Sequence, residues 1–347
     1  MTPAGETFRV VQVGIGLWGR GWAEIVARAR GFALAGVVDS SASARAWARA
    51  ELGVPATTSL GSALSSLAPD AVLVVSPPTT HRDLAEETLE SGAHVIVEKP
   101  LALGMEDARA IVDCARRTGR VAVVSQNYRF RRQPQALSGL VRRGELGELR
   151  SVTIRCARDL RRAWVTPRDW RGRMRHPYLL DMAIHHLDLL RMITGQEIVE
   201  VSARSWHVPD GPFRYDATAA ALLTLEEGVP VAYFGTWAAV GRETSWNGDW
   251  ELVGDRCRAT WTGGRERALR GTVTLERYGA EPRPVQLPRL PALDRLGVLH
   301  DVRAAARLGR EPECSARDNL TTLATVLALA RATEERRPVR VAEILEA

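Results

Sequence analysis

The sequence predicts an α/β protein of two domains, in which a doubly wound parallel sheet is followed by an α+β domain with a largely antiparallel open sheet. The first sheet is predicted from residues 8 to about 125, where short apolar runs alternate with helical segments, as in strands joined by crossover helices. The second is predicted from alternating runs after residue 147, which lack intervening helices except at one place. Because 347 residues suffice for two cores, we divide the chain into domains at 1–125 and 126–347.

In the first domain, predicted strands alternate with predicted helices. The strands are expected at 8–13, 33–38, 71–75, 93–97 and 121–124. The helices are expected at 17–30, 41–52, 59–67, 79–91 and 104–118. Ligands of such sheets bind beyond the carboxyl ends of the strands. The residues that directly follow the first, third and fourth strands should therefore line one crevice.

A glycine-rich turn follows the first strand. Gly14, Gly16 and Gly19 have the spacing G-x-G-x-x-G between a strand and a helix. The first glycine permits a tight turn, the second lets the backbone approach a pyrophosphate, and the third lets helix and strand pack closely. Asp39 ends the second strand, twenty residues past Gly19, where an acid accepts hydrogen bonds from an adenosine ribose. A lone glycine triplet would be weak evidence, but in this context it predicts a dinucleotide site.

Two further strand ends face the same predicted crevice. One is the turn Ser76-Pro77-Pro78-Thr79-Thr80-His81, and the other is Glu98-Lys99-Pro100. Pro100 is a candidate for a cis peptide bond, which would fix the turn that presents Lys99. Pro77 and Pro78 are equally explained as ordinary loop residues, and His81 fits a helix cap as well as a ligand contact.

Lys99 also stands out in the composition. Of the 47 lysine and arginine residues, it alone is a lysine. Arginine is a wide planar fork that stays protonated, whereas lysine is a compact donor whose pKa a protein can tune. A surface charge would not need that distinction. We therefore interpret Lys99 as a chemical residue beside the cofactor, with chance survival of one lysine as the alternative.

The second domain begins with a crossover at 126–147, predicted as a short polar segment and one helix. Alternating runs then predict strands at 148–157, 198–208, 215–225, 229–239, 248–261 and near 272–277. One long helix interrupts them, from about Leu179 to Thr194, and ends at Gly195. Further helices are expected at about 293–307 and 316–335, and the segment from Val339 to Leu345 is expected to return and pack on the rest.

The long helix carries an acid and an imidazole at helical spacing. Asp181 and His185 are four residues apart, so they should lie on one face, one turn from each other, with Asp188 near the same face. Such a carboxylate can fix the imidazole tautomer and stabilise its cation, which suits a base that removes a hydroxyl proton. A structural role is the usual alternative for a single histidine, and we assign it to His186. A metal site here is disfavoured because adjacent histidines on a helix diverge by about 100°.

The chain resembles the glucose–fructose oxidoreductase and inositol dehydrogenase family in the order and spacing of four features. These are the glycine turn, the turn from Ser76 to His81, Glu98-Lys99-Pro100, and Asp181-x-x-x-His185-x-x-Asp188. Asn127 and Arg129, after the last strand of the first domain, match as well. The resemblance covers nearly the whole chain. It implies a Rossmann domain, a mostly antiparallel α/β domain, and oxidation of a sugar or cyclitol at a secondary hydroxyl.

Lys99, Asp181 and His185 match the catalytic lysine, aspartate and histidine of that family. The resemblance implies that His185 takes the hydroxyl proton, Lys99 hydrogen-bonds the same oxygen, and Asp181 orients them. The predicted cofactor contacts are Gly14, Ile15, Gly16, Leu17, Trp18, Gly19, Asp39, Ser76, Pro77, Pro78, His81, Glu98, Lys99, Pro100 and Gln126. The predicted substrate contacts are Lys99, Asn127, Arg129, Asp181, His185, Trp164 and Trp246.

One departure from the family bears on the substrate. Family members usually have glycines just before the aspartate helix, whereas this chain has Arg175-His176-Pro177-Tyr178. These residues predict a bulkier and more polar substrate side. Tryptophan planes that could stack on a sugar ring, or equally pack in a core, are those of Trp164, Trp170, Trp246 and Trp250.

The leading hypothesis is an NAD-dependent dehydrogenase that acts on a sugar, cyclitol or related polyol. Asp39 favours NAD because a carboxylate repels the 2′-phosphate of NADP, while the nearby Arg45 keeps NADP open. One alternative is a lyase or glycosidase that oxidises its substrate transiently and restores the cofactor. Another is a non-catalytic sensor, against which the intact Lys99, Asp181 and His185 argue.

Composition disfavours several other classes. The net charge is +6, but the arginines are spread along the chain beside acids, so nucleic acid is not an expected partner. No apolar run has transmembrane length and no signal-peptide pattern is present, so a cytoplasmic protein without a membrane partner is expected. The four cysteines form no C-x-x-C pair, which leaves disulfides and bound metal unsupported. An open sheet with an uncovered apolar face predicts a homodimer or homotetramer.

Overall fold

The computed structural model of the chain describes residues 7–161, 170–209, 211–262 and 271–347. The chain forms two compact units. The first comprises Met1–Asn127 and Pro291–Leu320, and the second comprises Tyr128–Leu290 and Thr321–Ala347. This division differs from the predicted one because a stretch near the end of the chain belongs to the first unit.

The first unit contains a parallel sheet of six strands within its described part. The strands are β1 (Phe8–Val13), β2 (Phe32–Val38), β3 (Ala56–Thr57), β4 (Ala71–Val74), β5 (His94–Val97) and β6 (Ala122–Val124). Their order is β3-β2-β1-β4-β5-β6, and every neighbouring pair is parallel. The order reverses between β1 and β4, which is where ligands of doubly wound sheets bind. The predicted sheet is confirmed, except that β3 is too short to show a pattern in the sequence.

Helices fill the connections between these strands. They are α1 (Leu17–Arg28), α2 (Ala42–Leu52), α3 (Leu60–Leu67), α4 (His81–Glu90) and α5 (Met105–Thr118). A 3₁₀ turn at Pro78–Thr80 precedes α4 and accounts for the start of the helix predicted at 79–91. All four residues of β4 are buried, as expected for a strand covered by helices on both faces.

The second unit is built on a long sheet with helices inserted between its strands. After a 3₁₀ turn at Asn127–Phe130 the chain forms α6 (Arg132–Arg142), β7 (Leu149–Ala157) and α7 (Trp170–Arg173). A π-helical turn at Leu179–Ala183 then leads into α8 (Ile184–Thr194). The following strands are β8 (Ile198–Trp206), β9 (Thr218–Leu225), β10 (Pro230–Thr236), β11 (Asp249–Gly254), β12 (Cys257–Thr262), β13 (Thr272–Arg277) and β14 (Arg283–Pro284).

Among the described residues this sheet has the order β14-β13-β12-β11-β7-β10-β9-β8, followed at its edge by β15 (Val339–Arg340). Only β7 and β10 pair in parallel, so the largely antiparallel sheet is confirmed within the described chain. The single strand predicted at 248–261 is wrong, because the chain turns back at Asp255 and Arg256. The two resulting strands form a hairpin in which Trp250 lies opposite Trp261. The buried positions change from even numbers in β11 to odd numbers in β12, and the prediction of a single strand overlooked this change of phase.

The stretch after β14 returns to the first unit. There α9 (Asp294–Leu308) places the guanidinium of Arg303 4.3 Å from the ring centroid of Phe32. The backbone N–H of Val124 in β6 donates to the Cys314 carbonyl at 2.9 Å. Helix α10 (Ala316–Glu335) then begins in the first unit and ends in the second, before β15 and α11 (Ala342–Leu345). β15 pairs with β8, which confirms the predicted return of the last residues.

Candidate functional site

The three glycines of the turn after β1 differ in their surroundings. Gly14 has φ +91°, and a Cβ there would lie 2.6 Å from the carbonyl oxygen of Val75, so only glycine fits. A Cβ on Gly19 would lie 2.3 Å from the carbonyl oxygen of Gly14, which shows how closely α1 packs on the turn. Around Gly16, no atom beyond its chain neighbours lies within 4 Å of a Cβ position. The backbone at Gly16 therefore faces open space of the kind that a pyrophosphate occupies.

Helix α1 begins at this turn without a capping side chain. Its N-cap residue is Gly16, which has no side chain to accept a hydrogen bond from the first amide N–H groups of the helix. Leu17 and Trp18 follow in the first turn and are exposed, with the guanidinium of Arg295 lying 5.0 Å from the Trp18 ring. Uncapped amides and the positive end of the helix dipole together attract an anion. The residues present here thus fit the phosphates of a dinucleotide.

Asp39, at the end of β2, is tied to two backbone amides. Its Oδ2 accepts a hydrogen bond from the Ile15 N–H and its Oδ1 accepts one from the Ser41 N–H, both at 2.7 Å. Spacing in the sequence predicted the ribose contact but not this support of the glycine turn. Each carboxylate oxygen can accept a second hydrogen bond, so Asp39 can still receive a ribose hydroxyl. The guanidinium of Arg45 donates to the Asp39 and Ser40 carbonyls at 2.7 and 2.8 Å.

His81 ties together the other two strand-end loops. Its side chain is fully buried, with Nε2 3.0 Å from the Ser76 carbonyl oxygen and Nδ1 3.0 Å from that of Pro100. Burial lowers the pKa of His81. This placement differs from the predicted cofactor contact, because a ring enclosed by backbone carbonyls positions the loops instead of touching a ligand. The Lys99–Pro100 peptide bond, a candidate for the cis form from the sequence, is cis.

Glu98 connects α1 to the loop that carries Lys99. Its Oε1 accepts a hydrogen bond from the buried indole N–H of Trp22 at 2.6 Å. Its Oε2 accepts one from the backbone N–H of Lys99 at 3.2 Å. Both carboxylate oxygens of Glu98, a predicted cofactor contact, therefore help to fix the backbone of Lys99. Lys99 itself is half-buried.

Gln126 and Asn127 follow β6. Gln126 is buried, and its carbonyl lies 3.5 Å from the Cys314 thiol. The amide of Asn127 donates to the carboxylate of Asp294 at the start of α9. Their predicted contacts with cofactor and substrate stay predictions.

In the second unit, Asp181 lies in the π-helical turn and His185 in the first turn of α8. Both side chains are buried. Asp181 Oδ2 accepts a hydrogen bond from the Arg171 Nε at 3.0 Å, in a pair whose side chains are 9% and 8% exposed. Arg171 was not predicted as part of the site, because nothing in its local sequence distinguishes it from the other arginines. π-helical turns often occur at functional sites, which agrees with the chemical role predicted for Asp181.

The ring of His185 is stacked on that of Tyr128. Their centroids are 4.3 Å apart and their planes differ by 6°. The guanidinium of Arg131 lies 3.3 Å from the centroid of the same tyrosine ring and donates to the Asn247 side chain. At these distances the imidazole and the guanidinium must occupy opposite faces of Tyr128, since one face has no room for both. The plane of the His185 ring is therefore fixed.

Asp188 and Arg129 form a buried bidentate ion pair. The Nε and Nη2 of Arg129 each donate to a separate Asp188 oxygen at 2.7 Å. The hydroxyl of Thr322 donates to the same carboxylate at 3.2 Å. Arg129 was predicted as a substrate contact. The residue is 7% exposed, and its guanidinium is paired with Asp188. This pair gives Asp188 and Arg129 a buried structural contact, and the substrate contact of Arg129 stays a prediction.

Tyr178 contradicts the predicted bulk on the substrate side. Its ring is fully buried and lies 2.0 Å from where a Cβ on Gly235 would be, and its hydroxyl is 3.1 Å from that of Tyr233. The Tyr233 hydroxyl donates to His186 Nδ1 at 2.9 Å, because His186 Nε2 donates to the Trp246 carbonyl at 3.0 Å. Burial lowers the pKa of His186 to about 4, in agreement with the structural role assigned to it. Tyr178 therefore fills the core.

The tryptophans have different surroundings. Trp246 is half-buried, and the guanidinium of Arg158 lies 4.8 Å from its ring centroid. Trp250 is fully packed against Trp261, with centroids 6.0 Å apart, so the core interpretation is correct for it. Trp170 begins α7. Trp164 lies outside the described residues.

Two observations on the described residues concern other kinds of site. None of their helices has the length and apolar character needed to cross a membrane. Nowhere in the described ranges do three His, Cys, Asp or Glu side chains converge as metal ligands would.

A doubly wound parallel sheet that presents uncapped amides and an acid to one crevice is the architecture of proteins that bind NAD and exchange a hydride with it. The chain matches the oxidoreductase family described as having an NAD-binding Rossmann fold over residues 8–126. It also matches the GFO/IDH/MocA C-terminal domain over residues 134–260. The chain therefore belongs to the GFO/IDH/MocA oxidoreductase family, and its first unit is an NAD-binding Rossmann domain.

Relatives and solved structures match over both units. A 1,5-anhydro-D-fructose reductase of Ensifer adhaerens is 26% identical, over 92% of this chain and 94% of the relative. An inositol 2-dehydrogenase of Pseudarthrobacter chlorophenolicus is 31% identical, over 57% of this chain and 58% of the relative. The solved UDP-N-acetylglucosamine 3-dehydrogenase of Acidithiobacillus ferrooxidans is 26% identical with a TM-score of 0.78, covering 95% of this chain and 98% of that one.

Proposed function

We propose that the protein is an NAD-dependent dehydrogenase that transfers a hydride between the nicotinamide and a secondary hydroxyl of a sugar, cyclitol or related polyol. Family membership supports hydride transfer, and the relatives named above act on a sugar derivative, an inositol and a nucleotide sugar by name. The observation that carries the proposal is His185, a buried imidazole with a fixed ring plane, in a chain whose first unit binds NAD. A ring held in this way is prepared for one direction of proton transfer.

The proposed roles follow the chemistry of each side chain. NAD, when bound, accepts or returns the hydride. His185 takes the proton of the reacting hydroxyl, and Lys99 donates a hydrogen bond to the same oxygen. Asp181, in its charged form, orients His185 and Lys99. The guanidinium of Arg171 favours this charged form because the two groups are buried together. The charge on Asp181 also stabilises the imidazolium that forms when His185 accepts the proton.

The proposal includes a preference for NAD over NADP. A 2′-phosphate would add negative charge beside the Asp39 carboxylate, which already accepts two backbone hydrogen bonds. Arg45 is the nearby cation that would favour NADP. Its guanidinium instead donates to two backbone carbonyls, which supports the preference for NAD.

The test is a screen of sugars and cyclitols with NAD, followed by NADH absorbance, on the unaltered protein and two variants. His185→Ala should lose activity by about a hundredfold or more. His207→Ala, which changes an exposed histidine directly after β8, is the control and should keep activity. Equal rates for both variants would contradict the role of His185. Substrate conversion without NADH formation would instead identify the redox-neutral lyase or glycosidase.

We also propose a cytoplasmic homodimer or homotetramer built through the outer face of the second-unit sheet. Leu222 on this face is 57% exposed and lies between Ser202 and Ala232 on the adjacent strands. On the same face, the exposed Trp206 contacts Phe234, with ring centroids 6.3 Å apart. An exposed apolar patch of this kind is typical of an interface. Light scattering at micromolar concentration tests the proposal, and a monomer would rule it out.

A further inference from the structure

A cation lies beside the first turn of α1, next to two indole rings. The guanidinium of Arg295, at the start of α9, lies 5.0 Å from the ring centroid of Trp18 and 5.4 Å from that of Trp22. The two tryptophans are four residues apart, so they are neighbours on one face of the helix. Helix α1 and the start of α9 both belong to the first unit. Arg295 lies outside both ranges that match the family, 8–126 and 134–260, so the family match assigns it no role.

A glycine leaves the space that this guanidinium occupies. A Cβ on Gly21, in the same helix, would lie only 3.1 Å from Nη1 of Arg295. Side chains on a helix lean towards its amino terminus, so a group that packs among residues 18, 21 and 22 covers the first turn of α1. The guanidinium is thereby held near the first amides of the helix, whose N-cap residue, Gly16, has no side chain.

Within the described ranges, no carboxylate pairs with Arg295. Two acids contact this part of the crevice. Asp39 accepts hydrogen bonds from two backbone amides, and Glu98 accepts them from Trp22 and from the Lys99 backbone. The positive end of a helix dipole repels a cation, so a guanidinium fixed at this place is unfavourable until an anion lies beside both. An aromatic ring attracts the charge of a guanidinium but supplies no oxygen acceptor, so the N–H donors remain available to a ligand.

We propose that Arg295 binds the diphosphate of NAD, so that the returning segment at 291–320 contributes a residue to the cofactor site. The first amides of α1 bind the phosphates, and the guanidinium adds charge-assisted hydrogen bonds beside them. Trp18 and Trp22 hold the guanidinium in place before NAD arrives, which reduces the entropy lost on binding. The role of Arg295 rests on the NAD site of the proposed function, and it can be tested by binding alone.

The experiment is isothermal titration of the full-length protein with NAD and, separately, with ADP-ribose, which has the diphosphate but lacks the nicotinamide. Arg295→Met keeps an unbranched chain beside the indole rings and removes the charge, so both dissociation constants should rise about ten- to hundredfold. Arg295→Lys keeps the charge and should lose less than about fivefold in affinity.

The matched control is Arg303→Met, which removes the same charge from the same helix. The guanidinium of Arg303 also lies over an aromatic ring, that of Phe32. Phe32 begins β2, so it lies at the edge of the sheet opposite to the carboxyl ends of the strands, where ligands bind. This variant should bind both ligands within about twofold of the unaltered protein, because the general effect of net charge is the same in both variants.

A second substitution keeps the test valid if Arg295→Met fails to fold. Gly21→Leu introduces a better helix former and fills the space of the guanidinium, so NAD binding should weaken at least about fivefold while every charge is kept. The proposal is overturned if Arg295→Met binds NAD as tightly as the unaltered protein, or if Arg303→Met weakens binding equally. Weakened binding of NAD with unchanged binding of ADP-ribose would also overturn it, since the contact would then be with the nicotinamide. If the unaltered protein binds neither ligand, the proposed function is overturned as well.

Discussion

Two substitutions in the glycine turn add the same methyl group and should have opposite consequences. In Gly19→Ala the new Cβ would lie 2.3 Å from the Gly14 carbonyl oxygen and 3.2 Å from the Gln12 amide nitrogen. The backbone can relieve this contact only by moving, so we expect destabilisation of about 1–3 kcal/mol. This outweighs the gain of about 1 kcal/mol in helix propensity. In Gly16→Ala no such contact exists and φ is −71°, so the stability of the apo protein should change by less than about 1 kcal/mol.

For NAD binding, Gly16→Ala should have the larger effect of the two substitutions. At Gly16 the methyl group would occupy the open space assigned to the pyrophosphate, and overpacking of about 1–3 kcal/mol corresponds to a loss of about 5- to 150-fold in NAD affinity. Thermal unfolding of the apo proteins and titration with NAD measure the two effects separately. If Gly16→Ala binds NAD as tightly as the unaltered protein, the open space at Gly16 is not the phosphate site. If Gly19→Ala unfolds at an unchanged temperature, the close contact with Gly14 is not limiting.

Three further outcomes are expected. Lys99→Arg should lower kcat about a hundredfold with little change in NAD affinity, because a wide guanidinium cannot replace a compact ammonium at a reacting oxygen. A near-normal kcat would make the lone lysine an accident of composition. Arg171→Met removes the cation that pairs with the buried Asp181 carboxylate and should lower the free energy of unfolding, measured by chemical denaturation, by about 3–5 kcal/mol. Adding Asp181→Asn should recover most of that stability, and no recovery would argue against the pair. Asp39→Ala should shift the ratio of NAD to NADP dissociation constants towards NADP by about tenfold and weaken NAD binding itself, since the carboxylate also holds the Ile15 amide; an unchanged ratio in fluorescence titrations would refute this.

The parts of the fold that follow from local pattern were predictable. The first sheet, its helices and the glycine turn depend on periodicity and on residues close in sequence, and they were predicted to within a few residues. The long helix with Asp181 and His185 was also predicted. Its π-helical start was not, because this turn is only five residues long and all five are buried, so it has no apolar periodicity to distinguish it from an α-helix.

The supports of the site could not be predicted, because they are contacts between distant residues. Arg171 beside Asp181 and Arg129 beside Asp188 are two arginines in a chain that has many, and only the structure selects them. Tyr178 shows the same limit: its position suggested a substrate wall, but the missing side chain of Gly235 gives it a place in the core. Pattern shows which residues are apolar or polar, whereas partners are decided by three-dimensional packing.

The return of residues 291–320 to the first unit has a consequence for synthesis on the ribosome. Val123 at the edge of β6 pairs with Ser315, and the ring of Phe32 is covered by Arg303, so the amino-terminal unit needs a late part of its own chain. At about 5–20 residues per second, the nascent chain waits ~10–40 s for these partners after residue 127 has been made. During that time β6 is an open strand edge, which is the surface that chaperones protect and that mispairs when unprotected. A gene cut at residue 127 would make that exposure permanent, so the NAD-binding unit should be expressed with its returning segment joined to it.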